Sequence, residues 1–297
     1  PDTKAANLRQ TAGMIELPDP MDMPMSDGEH RPIRLRAPDL ALPSLLVLLG
    51  ILFFSDVLFS SKNFYFRDIL SFHYPLRKLL IDSFARAEFP LWNPFIYLGQ
   101  PMLANPNYMA LYPSNIFHIL LPFNYAFKLH FIVHPLLGGL GAYFLARRLG
   151  IQPLAAFGGA LLYEFSGTVL SFLNLYNIVP AVALMPWVGW AFLRALEVRS
   201  RKRTLLFGAI LSLLVFSFEP LTFLCSLGLV AGLGLYDLAG SCRWSKAAGD
   251  VIRVAIFGSL VALGLSAVQV LPTLELLPLS ARGVGYDFSS FSRWSMH

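Results

Sequence analysis

The chain has 297 residues, of which 56% are hydrophobic and 14% are charged, and its formal net charge is +5. A soluble globular domain carries about 25% charged residues, so this composition excludes a protein that is soluble by itself. The positive charge lies in loops beside apolar segments, which indicates membrane orientation and contact with membrane lipids, not nucleic-acid binding. The two cysteines, Cys225 and Cys242, indicate neither a disulfide nor a zinc site.

The first 38 residues are polar and interrupted by prolines, and they predict a disordered cytoplasmic tail over 1–38. Arg31, Arg34 and Arg36 precede the first apolar segment and should keep its start in the cytoplasm. The remaining residues, 39–297, are predicted to form one transmembrane domain.

Seven apolar segments follow the tail, and we predict that each crosses the membrane: 40–60, 124–146, 152–173, 178–197, 205–218, 220–237 and 252–272. Basic clusters follow the second, fourth and sixth segments. All three clusters fall on the cytoplasmic side only if 205–237 is two spans joined by a turn at Glu219-Pro220. The fold class predicted is therefore all-α, a polytopic integral membrane helix bundle of about seven spans with its N-terminus in the cytoplasm.

This topology places a long loop, 62–123, and the C-terminal segment 273–297 on the external side. Apolar residues recur at helical spacing from Ile69 to Phe84, which predicts an interfacial amphipathic helix with Arg77 and Lys78 on its polar face. Pro75 predicts a kink or a later start of this helix. Asp68 stands at the start of the pattern, where a carboxylate can serve as a helix cap.

Two strings give the chain a resemblance to a known family. They are RDILSFHYPLRKLLIDSFARAEFPLWNPFIYLGQPMLANPNYMALYPSN and VQVLPTLELLPLSARG, and the chain resembles the YfhO-type bacterial membrane proteins from about residue 40 onward. This family belongs to the polytopic glycosyltransferases of the GT-C fold. The resemblance implies the bacterial inner membrane, a polyprenyl-phosphate sugar donor and a catalytic Asp early in the first external loop. Asp68 is the matching position.

The resemblance also suggests residues that bind the substrate. Transfer from a lipid-phosphate sugar needs a base for the acceptor hydroxyl and cations for the departing phosphate. Asp68 is the predicted base, and Arg67, Arg77, Lys78 and Arg282 are phosphate partners or headgroup anchors. Five polar or aromatic residues of the loop either line a sugar pocket or satisfy proline-rich turns: Trp92, Asn93, Gln100, Asn105 and Tyr112. Asp68-Ile69-Leu70 lacks a DxD pattern, so neither a metal nor another cofactor is predicted.

A few ionisable residues lie elsewhere. Glu219 and Glu275 fall near the external face, where each is either a second carboxylate of the site or a solvated turn residue. Glu164 lies inside the third span, where a carboxylate is costly. It is therefore either a functional candidate or a residue whose only role is a hydrogen bond to Ser166 or Tyr163. His73, His130 and His134 are not grouped as metal ligands are, which favours structural roles.

These observations predict a membrane glycosyltransferase that moves a sugar from a polyprenyl-phosphate donor to an external cell-envelope acceptor. The alternative is a non-catalytic structural or accessory subunit that packs with partner subunits in a larger membrane complex. Proteins of this family continue for several hundred residues beyond the length seen here, so the resemblance covers only the N-terminal part of the usual length. That shortness favours the alternative.

Overall fold

The structure, a computed structural model, describes residues 37–66, 68–96 and 98–280, together with Gly283 and Gly285. All of them belong to one compact unit, Ile33–His297. The predicted tail lies outside the described residues as far as residue 36. The next two residues form the start of the first helix.

Helices make up most of the described part, as the all-α prediction requires. The α-helices are α1 (Ala37–Phe53), α2 (Ser55–Leu58), α3 (Tyr74–Ala85), α4 (Ile116–Leu120), α5 (Phe123–Arg148), α6 (Pro153–Glu164), α7 (Gly167–Ser171), α8 (Ile178–Val198), α9 (Arg201–Ser217), α10 (Pro220–Ala239) and α11 (Trp244–Leu276). Single helical turns of π or 3₁₀ type lie at Ile69–His73, Pro106–Tyr108, Pro113–Asn115, Phe172–Asn174 and Leu277–Leu279. Among the described residues the strands are β1 (Trp92–Asn93) and β2 (Gln100–Pro101), which pair antiparallel with Trp92 opposite Pro101.

Five of the helical segments are long and apolar enough to cross a membrane: Phe123–Arg148, Pro153–Asn174, Ile178–Val198, Pro220–Ala239 and Trp244–Leu279. The chain is therefore a multi-pass membrane protein by the length and composition of its helices. The other two predicted spans also coincide with helices, α1 and α9. Each has 17 residues, fewer than the roughly 20 that a full span needs.

A tight turn separates α9 from α10, as the basic clusters predicted. Phe218 adopts a left-handed backbone conformation with φ of 50° and ends α9. Glu219 caps α10 by accepting a hydrogen bond from the Leu221 N–H at 3.3 Å. Pro220 occupies the first turn, where a missing N–H costs nothing.

Helix α8 lies at the centre of the bundle and contacts α5, α9 and α10, while α11 packs on α9. Buried apolar residues of α8 to α11 form one core cluster, which includes Phe192, Phe207, Leu214 and Val254. A second cluster joins α1, α5 and α6 through Leu46, Tyr143 and Ala160. The bundle therefore has a protein-lined interior, whereas α11 keeps a long apolar face exposed.

The loop between the first two predicted spans folds back on itself. Leu76 and Leu80 of α3 are 3% and 0% exposed, and they pack with Met102, Tyr108 and Ala110 of the same loop. The prediction that this apolar face is seated in lipid is wrong, because other parts of the loop cover it. As the sequence indicated, the α-helix starts late, at Tyr74, with Pro75 in its first turn.

The loop is fixed to the last helix by two side chains of α11. Gln269 Nε2 donates to the Leu103 carbonyl at 2.6 Å, and Thr273 Oγ1 donates to the Ala104 carbonyl at 3.0 Å. The first residues of the segment 273–297, which is predicted to be external, continue α11 to Leu276. Residues far apart in sequence therefore hold the loop against the ends of the helices.

Candidate functional site

Asp68, the predicted base, lies immediately before the π-helical turn Ile69–His73 and its side chain is exposed. It makes no side-chain capping bond to this turn, so the capping interpretation lacks its hydrogen bond. The Asp68 carboxylate is close enough to His73 to oppose the lowering of that histidine's pKa. The base candidate therefore stands at the edge of a buried polar cluster and is open to solvent.

The buried cluster is centred on Tyr176, which lies between α7 and α8. His130 of α5 stacks on the Tyr176 ring, and the guanidinium carbon of Arg77 lies 4.5 Å from the centroid of the same ring. His73 faces it at 5.8 Å between ring centroids. Three separate elements, α3, α5 and the π-helical turn, thus bring basic side chains to one aromatic ring.

Hydrogen bonds tie the cluster to the 3₁₀ turn Pro113–Asn115. The Ser114 hydroxyl and His130 Nδ1 are 2.8 Å apart, and Arg77 Nη1 donates to Asn115 Oδ1 at 2.6 Å. The Asn115 amide donates in turn to the carbonyls of Met109 and Ala110. The predicted substrate residue Tyr112 is 5% exposed, with its hydroxyl 3.1 Å from His134 Nε2. Tyr112 thus belongs to this interior network.

Arg77 is 2% exposed, and among the described residues no carboxylate forms a salt bridge with it. Its Nε has no hydrogen-bond partner in the described part of the chain. Desolvation lowers the pKa of Arg77 below its ordinary value. The placement of Arg77 on the polar face of an amphipathic helix was therefore wrong, because the 3₁₀ turn and Tyr176 cover it. A buried guanidinium with only neutral partners attracts an anion.

Two histidines beside Arg77 are kept neutral. Burial lowers the pKa of His73 to about 4, with a further lowering from Arg77. Burial and Arg77 likewise lower the pKa of His118 to about 4, and neither ring nitrogen of His118 has a hydrogen-bond partner among the described residues. The electrostatic character of the cluster therefore comes from one cation, Arg77, surrounded by groups that can donate hydrogen bonds.

The hairpin residues lie apart from this cluster. Asn93 is buried, where its amide donates to the Tyr108 hydroxyl at 2.5 Å and its Oδ1 accepts from the Phe95 N–H. Asn105 caps the turn Pro106–Tyr108 and donates to Gln100 Oε1 at 3.3 Å. Trp92 is exposed and packs on Gly99, where φ is +112° and a Cβ would clash with the indole. These residues shape the hairpin, and only Trp92 presents a large exposed surface.

Four predicted site residues remain: Glu219, Glu275, Arg67 and Arg282. Glu219 is occupied as the cap of α10, and Glu275 is exposed near the end of α11. Arg67 and Arg282 lie outside the described residues. Where the chain is described, no three His, Cys, Asp or Glu side chains are grouped as metal ligands would be.

Sequence reasoning missed Asn115, His118 and Tyr176 as parts of the cluster. The four-residue spacing of His130 and His134 places both rings on one face of α5, which is the available signal for a shared environment. No local pattern marks Tyr176, because it reaches the cluster through the packing of α8 against α5.

Comparisons of this chain with protein-family models, with curated proteins and with solved structures gave no match.

Proposed function

We propose that this chain carries the active region of a GT-C type membrane glycosyltransferase, which moves a sugar from a polyprenyl-phosphate donor to an external cell-envelope acceptor. The proposal includes about seven spans, a cytoplasmic N-terminus, location in the bacterial inner membrane and the resemblance to YfhO-type proteins. Its support is one observation: an exposed carboxylate that is not used as a helix cap, Asp68, next to a buried, carboxylate-free arginine cluster.

In this proposal Asp68 takes the proton of the acceptor hydroxyl. A carboxylate can accept a proton from a hydroxyl that is held within hydrogen-bond distance. The new glycosidic bond forms between the acceptor oxygen and the anomeric carbon as the bond from that carbon to the phosphate oxygen breaks. The phosphate leaves with the electron pair of the broken bond.

Arg77 and its neighbours stabilise the leaving phosphate. A guanidinium in a water-poor environment stabilises developing negative charge more strongly than one in water. Asn115 holds Arg77 in place, and its own amide is held by two backbone carbonyls. The membrane lipid around the helices would accommodate the polyprenyl tail while the phosphate approaches the loop.

The alternative is a non-catalytic structural subunit of a larger membrane complex. Asn93 and Asn105 favour it, because their polar groups are used inside the loop instead of facing a substrate. In this alternative the Arg77 cluster only joins the loop to α5 and α8.

The substitution Asp68→Asn separates the two functions. Asn removes the proton acceptor with little change in shape, so the transferase proposal expects a loss of rate on the order of 10²–10⁴-fold. The matched control is Asp56→Asn, which alters an exposed ion pair with Lys62 and should leave the rate unchanged. The assay follows sugar transfer from a polyprenyl-phosphate donor in membranes that contain equal amounts of each variant. Full activity of Asp68→Asn would rule out this base and favour the structural subunit.

A further inference from the structure

Glu164 is a buried acidic residue that the proposed reaction does not use, and it lies in the interior of the bundle. It is 0% exposed, and neither carboxyl oxygen has a hydrogen-bond partner among the described residues. A buried ionised carboxylate without partners is among the most costly groups in a protein interior. Either a cation therefore pairs with the Glu164 carboxylate, or the carboxyl group is protonated and uncharged.

The surrounding helices are shaped to accept this side chain. A Cβ at Gly50 of α1 would overlap Glu164 Oε1, and a Cβ at Gly139 of α5 would overlap Oε2. Leu136 lines the same position. Two glycines on two different helices thus leave the space that the carboxyl group occupies, and they supply no side-chain donor to it.

The carboxyl group lies deep within the predicted membrane region. At a rise of about 1.5 Å per residue, Gly139 is about 24 Å along α5 from Phe123 and about 14 Å from Arg148. Water is scarce at such a depth, so solvent does not offset the cost of a charge there.

The backbone at Glu164 also disfavours an ionised carboxylate at this position. The apolar segment Pro153–Asn174 is interrupted here, because α6 ends at Glu164 and Ser166 caps the next helix, α7. A helix C-terminus carries partial negative charge, which disfavours a carboxylate and favours a positive ligand. Interrupted helices recur at ion sites in membrane transporters, where the C-terminal ends of half-helices hold Na⁺ or a proton.

No cation of the neighbouring helices reaches this position. The ionisable residues of α1, α5 and α6 are Asp39, Tyr125, Lys128, His130, His134, Tyr143, Arg147, Arg148, Tyr163 and Glu164 itself. Lys128 donates to the carbonyls of Val57 and Ser60, and Arg148 pairs with Glu197 of α8. Tyr163 donates to the Val182 carbonyl.

We infer that Glu164 forms a proton-binding site in the middle of the membrane region, with the carboxylic acid held between α1, α5 and the break after α6. A proton is the ligand because it needs one oxygen atom. A metal cation needs several oxygen ligands, and the side chains of Gly50, Gly139 and Leu136 provide none. The site is independent of sugar transfer and would exist in either proposed function.

Infrared spectroscopy of the purified full chain in lipid nanodiscs tests this inference. The expected result is the carbonyl stretch of a protonated carboxylic acid at pH 7. The band should disappear in Glu164→Gln, whose side chain has the shape of the neutral acid. It should remain in Glu275→Gln, which changes an exposed carboxylate. Glutamate labelled with ¹³C at its carboxyl group should shift the band in the wild type, so the assignment does not depend on the folding of one variant.

Three results would overturn the inference. The first is a wild-type spectrum at pH 7 without a carboxylic-acid band that responds to the glutamate label. The second is a band that survives in folded Glu164→Gln. The third is a carboxylate signal at Glu164 that changes with added Na⁺ at constant pH, since it would assign the site to a metal cation.

Discussion

His130 on α5 stacks on Tyr176, with ring centroids 3.7 Å apart and ring planes 4° from parallel. The same imidazole lies 2.8 Å from the Ser114 hydroxyl through Nδ1 and 2.8 Å from the Tyr176 carbonyl oxygen through Nε2. One side chain therefore joins α5, the loop 62–123 and the segment before α8. Both ring nitrogens and the ring face stacked on Tyr176 take part in this connection, so His130 has little freedom to move.

The first prediction follows from this connection. Replacement of His130 by alanine leaves buried polar groups of Ser114 and Tyr176 without their partner, which should cost roughly 2–3 kcal/mol of stability. Thermal unfolding in detergent should show a lower Tm, and limited proteolysis should cut the loop 62–123 more readily. Lys78→Ala is the control, because it removes an exposed i,i+4 ion pair with Asp82 that contributes about 0.5 kcal/mol or less. Equal stabilities of His130→Ala and wild type would contradict this role for His130.

The second prediction concerns pH. The pKa of His73 in the folded protein is about 4, below the ordinary 6.5, so the unfolded chain binds more protons as pH falls below 6.5. The stability contributed by neutral His73 should therefore be fully present above pH 6.5 and decline as pH approaches 4. The stability contributed by neutral His118 should depend on pH in the same direction. The Tm of His73→Gln should depend less on pH than that of the wild type between pH 7 and 4.5. Parallel curves would show that His73 titrates normally.

Much of the helical pattern could be predicted from the sequence. Long apolar runs fix the helices, and Glu219-Pro220 together with the flanking basic clusters indicates the turn between α9 and α10. The burial of the Arg77 side chain could not be predicted in this way. Its neighbours in sequence describe an amphipathic helix, yet Asn115 and Tyr176 bury it from positions about 40 and 100 residues further along the chain.

The residues of the candidate site likewise differ in how well the local sequence predicts their environment. Asp68 is predictable because it stands at a local boundary between an apolar segment and a helix. Tyr112 was predicted as a pocket residue, but its environment depends on the placement of His134 on α5. Hydrophobic periodicity records which residues avoid water, and it does not record which polar groups meet inside a folded loop.

The third prediction tests whether the loop has its own core. Leu80 is fully buried against residues of the loop, so Leu80→Ala should cost about 2–5 kcal/mol. Leu70→Ala provides the matched control, because Leu70 is 59% exposed and should have a much smaller effect. Urea or thermal unfolding, followed by cysteine accessibility within the loop, distinguishes the two variants. Similar losses for both would mean that lipid, and not the loop, surrounds Leu80.

The fourth prediction concerns the charge of Arg77. Arg77→Met removes the cation but keeps an apolar side chain of similar length, so donor binding should weaken by about 10–100-fold through loss of a charged hydrogen bond. The pKa of His73 and His118 should rise, because the positive charge of Arg77 helps to lower both. NMR titration of labelled histidines measures the second effect independently of activity. Arg86→Met serves as the control, because Arg86 forms an exposed pair with Glu88.

Donor binding and the histidine pKa values test two separate roles of Arg77. Raised histidine pKa values with unchanged donor binding would show that Arg77 has an electrostatic role in the fold but does not contact the phosphate. That result would contradict the phosphate role assigned to Arg77.

The last prediction concerns how many helices cross the membrane. Helix α9 has 17 residues, and at about 1.5 Å per residue it is about 26 Å long, slightly shorter than a hydrocarbon core of about 30 Å. Arg201, Lys202 and Arg203 in its first turn can extend to the lipid headgroups, which makes a full crossing feasible. After Cys225 and Cys242 are replaced by serine, single cysteines at Ser61 and Glu219 should react with a membrane-impermeant thiol reagent in intact cells. A cysteine at Ser200 or a restored Cys242 should react only after the membrane is opened. Labelling of both Ser200 and Glu219 positions in intact cells would mean that α9 lies on one side of the membrane, and the number of spans would fall below seven.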